Sequence, residues 1–234
     1  MKKVDGKVII ITGATGGIGL ATARLLAQHG AKVALAARSV EVLETLVNEI
    51  PGSFAVPTDM AKETDVKEMI HKVKEHFGRI DVLVNNAGKG LYAPIEHVAI
   101  HEYQKIIDLN IIGPLIAMQR VIPIMREQGS GHILNISSLV SKNYFPNLGA
   151  YASTKYALNC LSLTARAELE KDNIIVNVMH PGLTDTGFSK NSIKVGGVAP
   201  FNREDMPEAD SAEYVAERIL HAIESERAEV MAHE

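Results

Sequence analysis

Cysteine and aromatic side chains are scarce in this chain: it has one Cys, no Trp, and Phe plus Tyr make up only 5% of its 234 residues. A lone cysteine, Cys160, excludes an internal disulfide, so a reducing, cytoplasmic setting is expected. Nothing near Cys160 in sequence would depress a thiol pKa, and it reads as a small apolar packing residue rather than a nucleophile. The histidines are scattered with no ligand spacing such as His-Glu-x-x-His, so no metal is expected. There is no block of lysine or arginine and the formal net charge is −4, which argues against a nucleic-acid partner. The apolar run Val8–Ile11 is too short for a leader peptide, and no apolar stretch suggests a membrane span. Composition does not shift along the chain and no repeat or linker interrupts it. A single domain over residues 1–234 is therefore expected.

What the chain has in quantity is a regular alternation of short apolar runs and amphipathic stretches. Lys7–Ile11, Lys32–Ala36, Ser53–Val56, Asp81–Val84, His132–Ile136 and Ile174–Met179 are rich in β-formers and bounded by polar or Gly/Pro residues, which predicts buried strands. Between them, Ile18–Gln28, Val40–Glu49, Glu63–Phe77, Tyr103–Arg126 and Tyr151–Glu170 carry helical spacing. A last helix, Ala212–Ser225, leads into a short strand at Glu229–Met231. Continuous apolar strands in strict βαβ alternation imply an α/β fold, a doubly wound parallel sheet with helices on both faces. The one long irregular segment is Leu183–Asp210. It follows the sixth strand and is expected to overhang the carboxyl edge of the sheet as a lid that orders on ligand binding.

Gly13, Gly17 and Gly19 stand between the first strand and the first helix. Glycines there let the backbone turn tightly and approach a phosphate, whose charge then faces the helix N-terminus. Farther on, Tyr151 and Lys155 are one helical turn apart and so share a face. Ser138 lies at the end of the fifth strand, with Ser137 facing the opposite side of that strand.

With Thr-Gly-Ala-Thr-Gly-Gly-Ile-Gly at Thr12–Gly19, Asn-Asn-Ala-Gly at Asn85–Gly88, Asn110, Ser137–Ser138, Tyr-Ala-Ser-Thr-Lys at Tyr151–Lys155 and Pro181–Gly182, the chain resembles the classical short-chain dehydrogenase/reductase family from about residue 5 to 232. The resemblance implies a Rossmann-type sheet of about seven strands, a nicotinamide cofactor, and a homodimer or homotetramer. It implies that Gly13, Thr15, Gly17, Ile18 and Gly19 cradle the pyrophosphate, and that Asp59 meets the adenine with Met60 beside it. The alternative for Asp59 is a helix N-cap before Lys62–Phe77, and the two roles are compatible. Asn86, Ala87 and Gly88 would line the adenine ribose, and Lys155 would hold the nicotinamide ribose. Pro181 and Gly182 would pass beneath the nicotinamide, with Thr186 on the carboxamide or pyrophosphate and Thr184 as a competing hydroxyl.

Of the serines, the family spacing selects Ser138 to hold and polarise the substrate oxygen. Tyr151 would be the general acid/base, its pKa brought towards neutrality by the Lys155 ammonium and the charge of oxidised nicotinamide, and Asn110 would bind a water that resupplies protons. After the second strand the position that is acidic in NAD-specific relatives is Ala37, and Arg38 and Ser39 follow. A guanidinium there can grip a 2′-phosphate, which favours NADP(H), with NAD(H) possible. Leu91, Tyr92, Val140, Phe145, Leu148 and Phe188 fall where relatives line the substrate pocket and suggest a small-molecule carbonyl or alcohol substrate with a largely apolar body. The expected activity is hydride transfer between NADP(H) and a ketone or aldehyde or a secondary alcohol. The alternatives are an NAD-linked alcohol dehydrogenase and a non-catalytic NADP-binding redox sensor.

Overall fold

A computed structural model describes residues 3–196 and 208–233. Seven strands form one parallel sheet: β1 (Val8–Thr12), β2 (Lys32–Ala37), β3 (Phe54–Pro57), β4 (Val82–Asn85), β6 (Gly131–Ile136), β7 (Ile174–His180) and β9 (Glu229–Met231), in the order β3-β2-β1-β4-β6-β7-β9. Their register runs Ile10↔Ala34 on one side of β1 and Ile10↔Leu83 on the other. This is the Rossmann-type architecture expected from the alternation. The strands read as unbroken apolar runs because helices cover both faces.

The period of two divides each strand between two cores. On one face Ile9, Ile11, Leu35, Val84 and Met179 pack with Ala23 and Leu26 of α1 (Gly17–Gln28) and with Val215 and Ile219 of α8 (Ala212–Ser225). On the other, Val8, Ile10, Leu83, Ile133 and Val176 meet Val66 and Met69 of α3 (Glu63–Phe77) and Met118 and Val121 of α5 (Gly113–Gln128). Each fully buried aliphatic side chain contributes about 1.5–3 kcal/mol. The remaining elements are α2 (Val40–Glu49), α4 (Ile100–Ile107) and α6 (Gly149–Leu169).

Two expectations are corrected. The single helix Tyr103–Arg126 starts earlier, at Ile100, and is interrupted. Between α4 and α5 the backbone widens into a π turn at Asp108–Ile112, with Asn110 buried at its centre. Asparagine is a poor α-helix former, and π turns recur where a side chain is pulled out of register to serve a site. The run Ile100–Gln128 is apolar and long enough, by composition alone, to cross a membrane. Its apolar side includes Ala117, Met118, Val121 and Met125, which here are packed into the protein core. The second correction concerns Leu183–Asp210, which is not irregular throughout. It contains α7 (Phe188–Asn191) and the strand β8 (Ile193–Lys194), which pairs in parallel with β5 (Leu91–Tyr92). Residues 197–207 of the expected lid lie outside the described part.

Strand order reverses between β1 and β4, so the loops after these two strands diverge and leave a crevice at their carboxyl ends.

Candidate active site

The crevice deepens into a cavity of about 1000 Å³. One wall is the glycine loop. Gly13 has φ +70°, a conformation that favours glycine, and its N–H donates to the Ala36 carbonyl of β2 at 2.8 Å. A Cβ on Gly19 would overlap the Gly13 carbonyl oxygen, which makes that glycine a packing requirement rather than a wall. At Gly16 a Cβ would meet nothing, and Gly16 opens on the cavity. It precedes α1 with no side-chain cap and no acidic residue in the first turn, leaving amide donors and the positive end of the helix dipole for an anion. Thr15, Gly17, Ile18 and Arg38 complete this wall. Arg38 is exposed and forms no ion pair among the described residues.

The Asn85–Gly88 turn is strapped to the glycine loop. Thr12 Oγ1 accepts the N–H groups of Asn86 and Ala87, both at 3.0 Å, and Asn86 Nδ2 donates to the Thr12 carbonyl at 2.9 Å. Asn86, Ala87 and Gly88 all line the cavity.

The opposite wall carries Ser138, Tyr151 and Lys155. Helical spacing places Tyr151 and Lys155 on one face of α6, with the Lys155 ammonium 5.9 Å from the Tyr151 ring centroid. Lys155 Nζ donates to the Ile136 carbonyl at 2.9 Å, and burial pushes its pKa down to about 8. Burial pushes the Tyr151 phenol up, partly offset by a hydrogen bond with Ser138. The lowering expected from the sequence relied on the Lys155 ammonium together with the charge of oxidised nicotinamide; in the protein alone burial acts the other way. The lysine donates to a backbone carbonyl rather than to the phenol, so loss of hydration dominates.

Ser138 also accepts the Val140 N–H at 3.3 Å, while Ser137 turns away to the Ser141 hydroxyl at 3.1 Å. Ser141 in turn donates to the Ser138 carbonyl at 2.6 Å and receives Asn159 Nδ2 at 2.9 Å. Behind it stands the fully buried His180, whose Nδ1 lies 3.3 Å from Ser141 Oγ and whose Nε2 lies 2.9 Å from Glu229 Oε1. Burial lowers the His180 pKa and favours its neutral form.

The comparisons with known proteins agree with this arrangement. Residues 7–195 match the family model for short chain dehydrogenases. The chain belongs to the short-chain dehydrogenase family. An uncharacterised oxidoreductase of Staphylococcus aureus strain MW2 is 33% identical over 225 residues, covering 95% of this chain and 93% of the relative. Among solved structures, 3-ketoacyl-(acyl-carrier-protein) reductase from Brucella melitensis, complexed with NADH, superposes with a TM-score of 0.89 at 27% identity, covering 99% of each chain. Alcohol dehydrogenase from Thermococcus sibiricus, complexed with 5-hydroxy-NADP, gives 0.85 at 30% identity, covering 97% of this chain and 96% of that one. This dehydrogenase is therefore an oxidoreductase of a family with NAD- and NADP-type complexes among its structural neighbours.

Pro181, Gly182, Thr184 and Thr186 also reach the dehydrogenase cavity, as do Tyr92, Val140, Phe145, Leu148 and Phe188. Thr186 faces the glycine loop, since a Cβ on Gly17 would come within 3.1 Å of its side chain, whereas Thr184 Oγ1 donates to the Gly182 carbonyl at 3.2 Å.

Six expected residues are not on its walls. Leu91 is wholly buried because β5 turns it into the core while presenting Tyr92 to the cavity. Gly19 packs inward as described, and Ser39 is exposed immediately before α2. Asp59 Oδ1 accepts the Ala61 N–H at 3.1 Å, so it caps a turn. Met60 is buried, its carbonyl pressed against Gly113. Asn110 stands one layer back: its Nδ2 donates to the Lys89 carbonyl and to Thr154 Oγ1, and its Oδ1 accepts the Lys89 N–H, each at 3.0 Å. Among the described residues no cluster of His, Cys, Asp and Glu could hold a metal ion.

Thr12, Lys89, Ser141 and His180 were missed by the sequence reading. For Thr12 a signal existed, since a hydroxyl opening a glycine loop is placed to accept amides from the adjacent strand. His180 had none, because its partners come from Ser141 and from β9.

Proposed function

We propose that this dehydrogenase reduces a ketone or aldehyde with NADPH, or runs the reverse oxidation, with Tyr151 as the proton donor. The observation that carries the reading is that Ser138, Tyr151 and Lys155 share one wall of a cavity whose facing wall is the glycine loop. A bound nicotinamide cofactor supplies or accepts the hydride at the substrate carbon. Gly13, Thr15, Gly17 and Ile18 hold its pyrophosphate, supported by the uncapped start of α1. Asn86, Ala87 and Gly88 line its adenine ribose, with Asp59 and Met60 towards the adenine. Pro181, Gly182, Thr184 and Thr186 surround the nicotinamide end, and Lys155 takes its ribose.

Ser138 orients the substrate oxygen and Tyr151 gives that oxygen its proton, so a carbonyl, a hydride and a proton become an alcohol. Lys155, as an ammonium, favours the Tyr151 phenolate left behind. Asn110 braces the Gly88–Lys89 backbone beside Lys155; a Cβ on Gly88 would lie 3.3 Å from Asn110 Oδ1 and 3.5 Å from Lys155 Nζ. Arg38, just after β2 beside Ser39 and with no ion pair among the described residues, supports NADP(H) over NAD(H) through a charge-assisted contact to the 2′-phosphate. Val140, Phe145, Leu148 and Phe188 support a substrate with an apolar body. The lone Cys160 supports a cytoplasmic enzyme, and family membership a homodimer or homotetramer.

The test is Tyr151→Phe assayed for NADPH oxidation against a panel of small carbonyl compounds. Turnover falls at least ~10²–10⁴-fold, the usual share of general acid catalysis, while NADPH affinity measured by cofactor fluorescence stays within about twofold. A variant that keeps most of the wild-type kcat would overturn the mechanism.

A further inference from the structure

Among the described residues the cavity walls carry three basic side chains, Arg38, Lys89 and Lys155, and no acidic one, in a chain whose net charge is −4. Asp210, which lies against Gly182, is paired with His233 at 3.1 Å. Arg38 stands on the glycine-loop side and Lys155 is fixed on the Ile136 carbonyl. That leaves Lys89. It is exposed, and its ammonium has no hydrogen bond or ion pair among the described residues.

Its backbone, by contrast, is pinned. Both its N–H and its carbonyl are held by the Asn110 amide, and that asparagine is itself tied to Thr154 on α6, next to Lys155. Gly88 on one side abuts Lys155. Gly90 on the other packs against Phe188 and Ser192, where a Cβ would come within 3.1 Å of the Phe188 ring. Phe188 in turn lies over Tyr151, ring centroids 5.7 Å apart. Lys89 therefore sits between the proton-handling pair and the residues that cap them, on the substrate side of the cavity. A rigid main chain carrying a cation that has no partner among the described residues into a cavity whose described walls hold no carboxylate is arranged to meet an anion. A single ammonium, with no guanidinium fork beside it, suits a singly charged group better than a phosphate ester.

We propose that Lys89 binds a carboxylate carried by the carbonyl substrate, so that the enzyme acts on oxo acids with an apolar chain rather than on neutral ketones. The proposal rests on the reductase reading above and names its substrate class.

The experiment compares wild type with Lys89→Met, Lys89→Arg and Lys89→Glu. Linear oxo acids with the carbonyl two to six carbons from the carboxylate are assayed beside their methyl esters, with NADPH. In wild type at least one acid exceeds its ester in kcat/KM by about tenfold or more, as a charge-assisted contact allows. Lys89→Met removes that preference, Lys89→Arg retains most of it and Lys89→Glu reverses it. A wild-type preference for the ester at every chain length, or an acid-to-ester ratio unchanged in Lys89→Met, overturns the proposal. So does weakened NADPH binding in Lys89→Met with that ratio unchanged, which assigns the lysine to the cofactor.

A second measurement does not need turnover. Calorimetric titration of hexanoate and hexanamide into the complex with NADP⁺ shows hexanoate binding about tenfold tighter in wild type and equally in Lys89→Met. Equal binding of the two in wild type overturns the proposal. If no carbonyl is reduced and the hexanoate preference still holds, the reductase reading fails and the anion site stands.

Discussion

The two walls of the cavity are built in different ways. The glycine-loop wall hangs from the carboxyl ends of β1, β2 and β4, strands buried on both faces, and is cross-tied by Thr12, Asn86 and the Ala36 carbonyl. The cap over Tyr151 hangs from two-residue strands, β5 and β8, joined by the Ile193 N–H to the Gly90 carbonyl and the Val195 N–H to the Tyr92 carbonyl, each at 3.0 Å, and by the packing of Phe188. The first wall is part of the folding core, so a change there costs stability and cofactor together. The cap is an appendage, and changes there fall on the substrate. One cavity can thus combine a fixed half with a variable half.

The sharpest way to break this contrast is at Gly19. Gly19→Ala would drive a methyl group into the Gly13 carbonyl and Asn86 Nδ2. It lowers stability by about 1–3 kcal/mol, as overpacking does, and abolishes measurable NADPH binding in the assay range. Denaturant unfolding and cofactor titration on the same preparation check both parts. Unchanged unfolding would show that the loop is not integral to the core.

Arg38→Asp tests the same wall without touching the core. NADPH binding weakens about 10- to 100-fold as a charge-assisted contact becomes a repulsion, NADH binding stays within about twofold, and the unfolding midpoint does not move. Equal losses for both cofactors would remove Arg38 from the 2′-phosphate.

Lys155 links the halves through pH. Its pKa lies near 8, down from 10.5 because of burial. If its ammonium supports Tyr151, kcat for carbonyl reduction declines as pH rises through about 8. Over that same window stability increases, because the unfolded chain still binds the proton the folded lysine has released. A rate that is flat from pH 7 to 9 would detach the ammonium from catalysis.

The smallest effect is expected in the cap. Ile193→Pro deletes one N–H of the β5–β8 pair, raising the substrate KM several-fold and costing about 1 kcal/mol or less, since only one exposed-edge hydrogen bond is lost. A loss of stability as large as that of Gly19→Ala would erase the distinction between the walls.

These differences also explain which parts could be read in advance. β1, β2, β4, β6 and β7 are unbroken apolar runs whose placement follows from local pattern, and Tyr151 with Lys155 follows from helical periodicity alone. The π turn at Asp108–Ile112 was not legible, because Asn110 leaves α-helical register to reach Lys89 and Thr154, 21 and 44 residues away. β8 was invisible for a related reason: two residues, Ile193 and Lys194, carry no periodicity, and they are strand only because β5 is beside them. Asp59 and Met60 were assigned from the family pattern, and to that the structure adds a turn-capping contact for Asp59 and a packing contact with Gly113 for Met60.

Sequence by itself determined the doubly wound α/β fold, the glycine turn that opens α1, and the serine, tyrosine and lysine that carry the proposed chemistry. Each is encoded within a window of a few residues, where periodicity and turn chemistry act. Tertiary structure alone decided the π turn that buries Asn110, the removal of Leu91 from the cavity and the exposure of Lys89 within it. Those depend on burial, on which side a strand presents, and on partners distant in the chain, quantities that exist only once the backbone has closed.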